Sequence, residues 1–151
     1  MSDDAKALAQ KVGRWMCDIP FARTLGIEFT DADVGYGLAR MVVSKEMLNG
    51  VGIIHGGAVF AFADTIFGVA CNSEGQVAVA LSCSITFSAP SYEGEVLICE
   101  AKQLSRSRKT GHYDVNVHKE DGTHVAHYSG TAYMRSDHVD HWMEPKSSEP
   151  L

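Results

Sequence analysis

Basic residues are scarce in this chain: 13 Lys and Arg stand against 19 Asp and Glu, a formal net charge of −6. Without a broad cationic surface nothing neutralises a phosphate backbone, and nonspecific nucleic-acid binding is excluded. Long apolar runs are missing as well; none reaches the ~18 residues that cross a bilayer. The opening MSDDAKALAQK begins on acids rather than on the basic-then-apolar order of a secretory leader, so a cytoplasmic location is expected. There is no CxxC pair among the four cysteines, Cys17, Cys71, Cys83 and Cys99. Their apolar surroundings predict free buried thiols rather than disulfides or zinc ligands. No GxSxG elbow surrounds Ser82, Ser84 or Ser88, which argues against a serine hydrolase.

What is present suits one compact domain. The 151 residues are 45% hydrophobic, enough for a substantial core and too short for two ordinary domains. Residues 4–18 are rich in helix formers and place Leu8, Val12, Trp15 and Met16 on one face, predicting an amphipathic helix that Pro20 ends. LGIEFTDADVG and YGLARMVVS read as two strands around a glycine turn. VAVALSCSITFSAP alternates, with Val77, Val79, Leu81, Cys83, Ile85 and Phe87 on one face. EVLICEAKQLS, GHYDVNVHKE and THVAHYSGTAYMR follow as three more strands, and Asp121-Gly122 marks a hairpin between the last two. A single domain is expected over 1–135, with 136–151 as an aperiodic flexible tail.

The segment NGVGIIHGGAVFAFADTIFGVACNSEG, Asn49 to Gly75, is the anomaly. From about Gly57 to Asn72 it is proline-free and apolar on nearly every side, long enough to be a helix. Such a helix has to be covered all round, and the strands are there to wrap it. One long helix against five or six mostly antiparallel strands is an α+β layer arrangement. Yet the helix carries one acid, Asp64, in its middle.

The combination N-x5-HGG-x6-D, formed by Asn49, His55-Gly56-Gly57 and Asp64, opens this helix, and a P-x3-G follows the next strand. This resembles the hotdog-fold acyl-CoA thioesterases, and most of all the phenylacetic-acid-degradation thioesterases, from LGIEF through TAYM. The resemblance implies a long central helix wrapped by a curled antiparallel sheet of five to six strands. It also implies a homo-oligomer, a dimer of dimers, that hydrolyses the thioester of an aryl-acetyl-CoA without a cofactor. One aryl-thioesterase branch of the family has glutamate on this helix and threonine one turn later. Here those places hold Asp64 and Gly68, so that branch is disfavoured.

Thioester hydrolysis needs donors for the carbonyl oxygen and a carboxylate that attacks or activates water. Early helix N–H groups lack intrahelical partners and carry partial positive charge, so the Gly56 N–H suits an oxyanion. Asp64 would be general base or nucleophile. Asn49 either donates its amide to the substrate or does turn chemistry before Gly50, and His55 shapes the turn or bonds the loop. In RSRKTG, Arg106, Arg108 and Lys109 are candidates for the coenzyme A phosphates, against the plainer reading of a solvated charge run. The pairs His124/His127 and His138/His141 are not expected to hold a metal, because a three-residue offset on a strand faces opposite sides and the second pair lies in the aperiodic tail. Asp64 follows Gly56 by eight residues, roughly 12 Å along a helix, which one carbonyl cannot bridge. A two-fold dimer with antiparallel helices would close that gap, taking Asn49 and Gly56 from one chain and Asp64 from its partner. The rival readings are a non-catalytic acyl-CoA binder on the same fold, an enoyl-CoA hydratase for which no acid and base pair is found, and a thioesterase for medium-chain fatty acyl-CoA.

Overall fold

The computed structural model describes residues 2–143. Two helices, α1 (Asp3–Cys17) and α2 (Pro20–Thr24), precede strands β1 (Glu28–Asp33) and β2 (Tyr36–Val42). The Ser2 hydroxyl caps α1 by accepting from the Ala5 N–H. Pro20 ends one helix and begins the next, since its missing N–H costs nothing at a first helical position. A 3-10 turn at Lys45–Met47 leads to the long helix α3 (Gly56–Asn72). Then come β3 (Gln76–Phe87), β4 (Val96–Arg106), β5 (Thr110–Lys119), β6 (His124–His138) and a short helix α4 (Asp140–Met143).

All six strands form one antiparallel sheet in the order β1-β2-β4-β5-β6-β3. Helix α3 crosses it, burying Phe62, Ala63, Ile66, Phe67, Val69 and Ala70 against inward residues such as Met41, Leu97, Val115 and Tyr128. Asn72 ties the end of α3 to β3: its amide donates to Gly68 O (2.8 Å) and Ala78 O (3.2 Å) and accepts from Ala78 N (2.8 Å). The Asp121-Gly122 hairpin is present, with Gly122 at φ 90°.

Four expectations are corrected. The alternation of β3 breaks at Leu81, an extra residue between the pairs Ala80–Ala132 and Ser82–Thr131. Ala78 and Ala80 therefore share an inward face with Cys83, Ile85 and Phe87, while Leu81 stands 62% exposed. Cys83 is exposed too, unlike buried Cys17, Cys71 and Cys99. Nor does the sheet wrap α3 on all sides, because Ala61, Asp64, Thr65 and Gly68 form a half-buried stripe along it. The stretch expected to be loose from 136 is ordered through Met143: β6 runs to His138, and buried Val139 donates its N–H to Gly75 O at 2.8 Å. Residues 144–151 lie outside the described residues.

Candidate active site

The loop before α3 is built by hydrogen bonds that leave particular donors over. His55 is the N-cap: its Nδ1 accepts from the Gly57 N–H (2.8 Å) and its carbonyl from Ala58 N (2.9 Å) and Val59 N (3.3 Å). The Gly56 N–H alone of this first turn meets no acceptor among the described residues. Asn49 does turn chemistry through its oxygen and leaves its amide nitrogen over. Its Oδ1 accepts from Val51 N (3.0 Å) and Ile53 N (3.3 Å), tightening the loop, and its Nδ2 has no acceptor among the described residues. Asn49 and Gly56 line one cleft of about 470 Å³ together with Phe87, Ser88, Pro90 and Val125.

Asp64 lies two helical turns on, half-buried on the open stripe of α3. Its Oδ1 accepts a hydrogen bond from the Tyr128 hydroxyl at 2.7 Å. The residue lines a different cleft, of about 270 Å³, with Met16, Ile19, Phe67, Gly68 and Ala80. The two clefts share no lining residue. The fold thus brings Asn49, His55 and Gly56 together and holds Asp64 apart from them within the protomer.

The basic turn divides. Arg106 is ion-paired with Glu74 and donates to Gln76 Oε1 at 2.8 Å. Arg108 and Lys109 are exposed on the β4–β5 turn, with Lys109 Nζ 5.8 Å from the Tyr133 ring centre. None of the three lines either cleft. The pair His124/His127 departs from the opposite-face expectation. A register shift in β6 puts His124 and His127 on one side of the sheet, at Asn116 Oδ1 (3.2 Å) and Asp114 Oδ1 (2.9 Å). Among the described residues no group of three His, Cys, Asp or Glu side chains is placed to hold a metal ion.

Two residues at the site escaped the motif reading. Tyr128 contacts the acid, and Phe87 lies over Gly56, where a Cβ would stand 3.1 Å from its ring. Tyr128 has a faint signal in the sequence, a hydroxyl at an inward position of β6 between Ala126 and Gly130. The pairing with Asp64, 64 residues earlier on α3, has none.

Unpaired N–H donors at a helix mouth and a carboxylate in an apolar cleft are the parts of a thioester hydrolase, carried here on a hotdog fold. Residues 51–126 match the thioesterase superfamily model. The acyl-coenzyme A thioesterase PaaI of Escherichia coli is 38% identical over 112 residues, 74% of this chain and 80% of that protein. The solved structure of the PaaI protein from the E. coli phenylacetic acid degradation operon superposes with a TM-score of 0.86 at 32% identity, over 89% of this chain and 98% of that one. A Streptococcus mutans UA159 protein solved bound to acetyl CoA is 26% identical, with a TM-score of 0.72 over 74% of this chain and 90% of its own. The chain belongs to the thioesterase superfamily, on the side of the phenylacetic-acid-degradation proteins, and is a thioester hydrolase.

Proposed function

We propose that the chain hydrolyses an acyl-CoA, with an aryl-acetyl group of the phenylacetyl or hydroxyphenylacetyl type as acyl part, at sites shared between two subunits. The observation that carries the reading is the separation of the donor mouth and the carboxylate into two clefts of one protomer. Each cleft holds half of what the reaction needs. The edge of the sheet supports a means of joining them. β3 is a 12-residue edge strand with one side unpaired, and Val79, Leu81 and Phe87 are exposed along it. A long apolar edge invites a second strand, and a two-fold axis there also sets the open stripes of two α3 helices face to face. Running antiparallel, each helix would bring its Gly56 end toward Asp64 of the partner subunit.

In that site the Gly56 N–H and the Asn49 amide hold the thioester oxygen as it gains charge. Asp64 of the partner subunit takes a proton from water as the water oxygen attacks the carbonyl carbon, or attacks directly and is freed by water in a second step. Either route breaks the C–S bond and returns a proton to the CoA thiolate. With Arg106 engaged by Glu74, the phosphates fall to Arg108 and Lys109. The aryl-acetyl preference rests on the kinship with PaaI.

The test refolds inactive Asn49→Ala protein together with inactive Asp64→Ala protein. Half the dimers are then mixed, each with one intact site, and activity returns to roughly a quarter of the parent's. Proven mixed dimers without activity would place both groups in one chain. A panel of aryl-acetyl, medium-chain and short acyl-CoAs assigns the acyl group. Tight CoA binding with no hydrolysis of any of them would make the protein a binder.

A further inference from the structure

We propose that Tyr128 positions the reacting carboxylate, holding one oxygen of Asp64 so that the other is presented to the thioester or its water. The inference rests on Asp64 being the carboxylate of the proposed reaction. Tyr128 points inward from β6 with 0% of its surface exposed, and its hydroxyl reaches Asp64 Oδ1 at 2.7 Å. The phenol has little freedom to leave. Phe60 and Phe67 contact its ring at centroid distances of 5.4 and 5.5 Å. The next inward residue of the strand is Gly130, where a Cβ would stand 2.9 Å from Tyr128 Cε1 and 2.8 Å from Phe67 Cε2. Only the missing side chain lets both rings sit there.

A half-exposed aspartate without such an anchor samples several rotamers, most of them unproductive. Attack and proton abstraction both require a carboxylate oxygen at about 3 Å from the reacting atom. Asp64 Oδ2 has no protein partner among the described residues, and the residue lines its cleft. The phenol also keeps its proton. Burial first, then hydrogen bonding to Cys83 and to Asp64, holds its ionisation far above the ordinary tyrosine range. Two further titratable groups face the pair, Cys71 from α3 and Cys83 from β3. Thiols ionise well above the carboxylate range, so the acidic side of a pH profile does not report them.

The experiment compares the parent with Tyr128→Phe and with 3-fluorotyrosine at position 128, which keeps the ring and strengthens the donor. It then repeats Tyr128→Phe in an Asp64→Asn background. The phenylalanine variant should lose about tenfold to a hundredfold in kcat with KM within about twofold. Its acid limb in kcat/KM should move to higher pH, because a charged carboxylate has lost a donor, and fluorotyrosine should move it the other way. In the Asp64→Asn background the same change should cost less than about twofold. An equal loss in both backgrounds, or an unmoved pH profile for both substitutions, makes Tyr128 a packing residue and overturns the proposal. The fluorotyrosine protein, almost unchanged in volume, decides the matter if the phenylalanine variant does not fold. Asp64→Asn within about threefold of the parent would remove the carboxylate itself, and this proposal with it. A silent Tyr128 beside active mixed dimers leaves the shared site standing.

Discussion

A lone carboxylate on an apolar helix is costly unless something bonds it, and at Asp64 that something is a single phenol. Residues that serve only to satisfy buried groups look different. Asn72, one helix end away, spends its amide on three backbone contacts, whereas Asp64 spends one oxygen and keeps the other at a cleft. Asp64→Asn should therefore leave the fold and acyl-CoA binding intact while lowering turnover by roughly two to four orders of magnitude. Parallel measurement of kcat and of CoA-ester binding checks it. A matching loss of binding would mean that the acid shapes the cleft rather than reacting in it. At this scale Asp64, Gly56, Asn49 and His55 could be picked out of the sequence as candidates, because a charge, two glycines and a capping side chain stand out against an apolar background. Tyr128 was not, since nothing local to β6 says which residue of α3 it will meet.

The elements that position the site are α3 and the strands beneath it. The start of α3 is set by its His55 cap and its end by Asn72, whose amide joins Gly68 and both polar groups of Ala78. Asn72 is 4% exposed, so Asn72→Ala takes from the buried Ala78 N–H and C=O the side-chain partner they share. The expected loss is about 2 kcal/mol, read as a lower urea midpoint at unchanged slope. An unchanged midpoint would mean that water replaces the amide. Helix and strand periodicity predicted these elements well, within a residue or two at most ends. The exception is instructive. β3 reads as one uninterrupted alternation, and the Leu81 bulge that turns half of it over depends on the facing strand β6, which no local pattern contains.

For the whole molecule, the open stripe of α3, the exposed β3 edge and the two half-sites are one problem with one proposed solution, a second copy. Leu81→Arg puts a charge on that edge and should shift the dimer toward monomer and abolish turnover without unfolding the chain, as light scattering, circular dichroism and assay would report. Cys83 supplies an internal gauge. Cys17, Cys71 and Cys99 are buried, with burial pushing the thiols of Cys17 and Cys71 up to about 12, so none of the three should react with a thiol reagent in folded protein. Cys83 should label at about one per chain in the Leu81→Arg protein and slowly in the parent. Rapid labelling of a proven parent dimer would place the subunit contact elsewhere.

The division between sequence and tertiary structure follows from the range of the forces involved. Periodicity, capping chemistry and the N-x5-HGG-x6-D spacing are local, acting over a few residues, so the elements, the donor mouth and the family were decided by the sequence alone. Three matters depended on what lies far along the chain. Arg106, one of three cations in a short basic run, is set by the fold against Glu74, 32 residues away. The tail after 135 looked structureless until Val139 found the carbonyl of Gly75. Asp64 looked unsupported until β6 brought Tyr128 to it. Each is a contact between residues with no common local pattern, chosen only when burial of the whole core sets the strand order and the register.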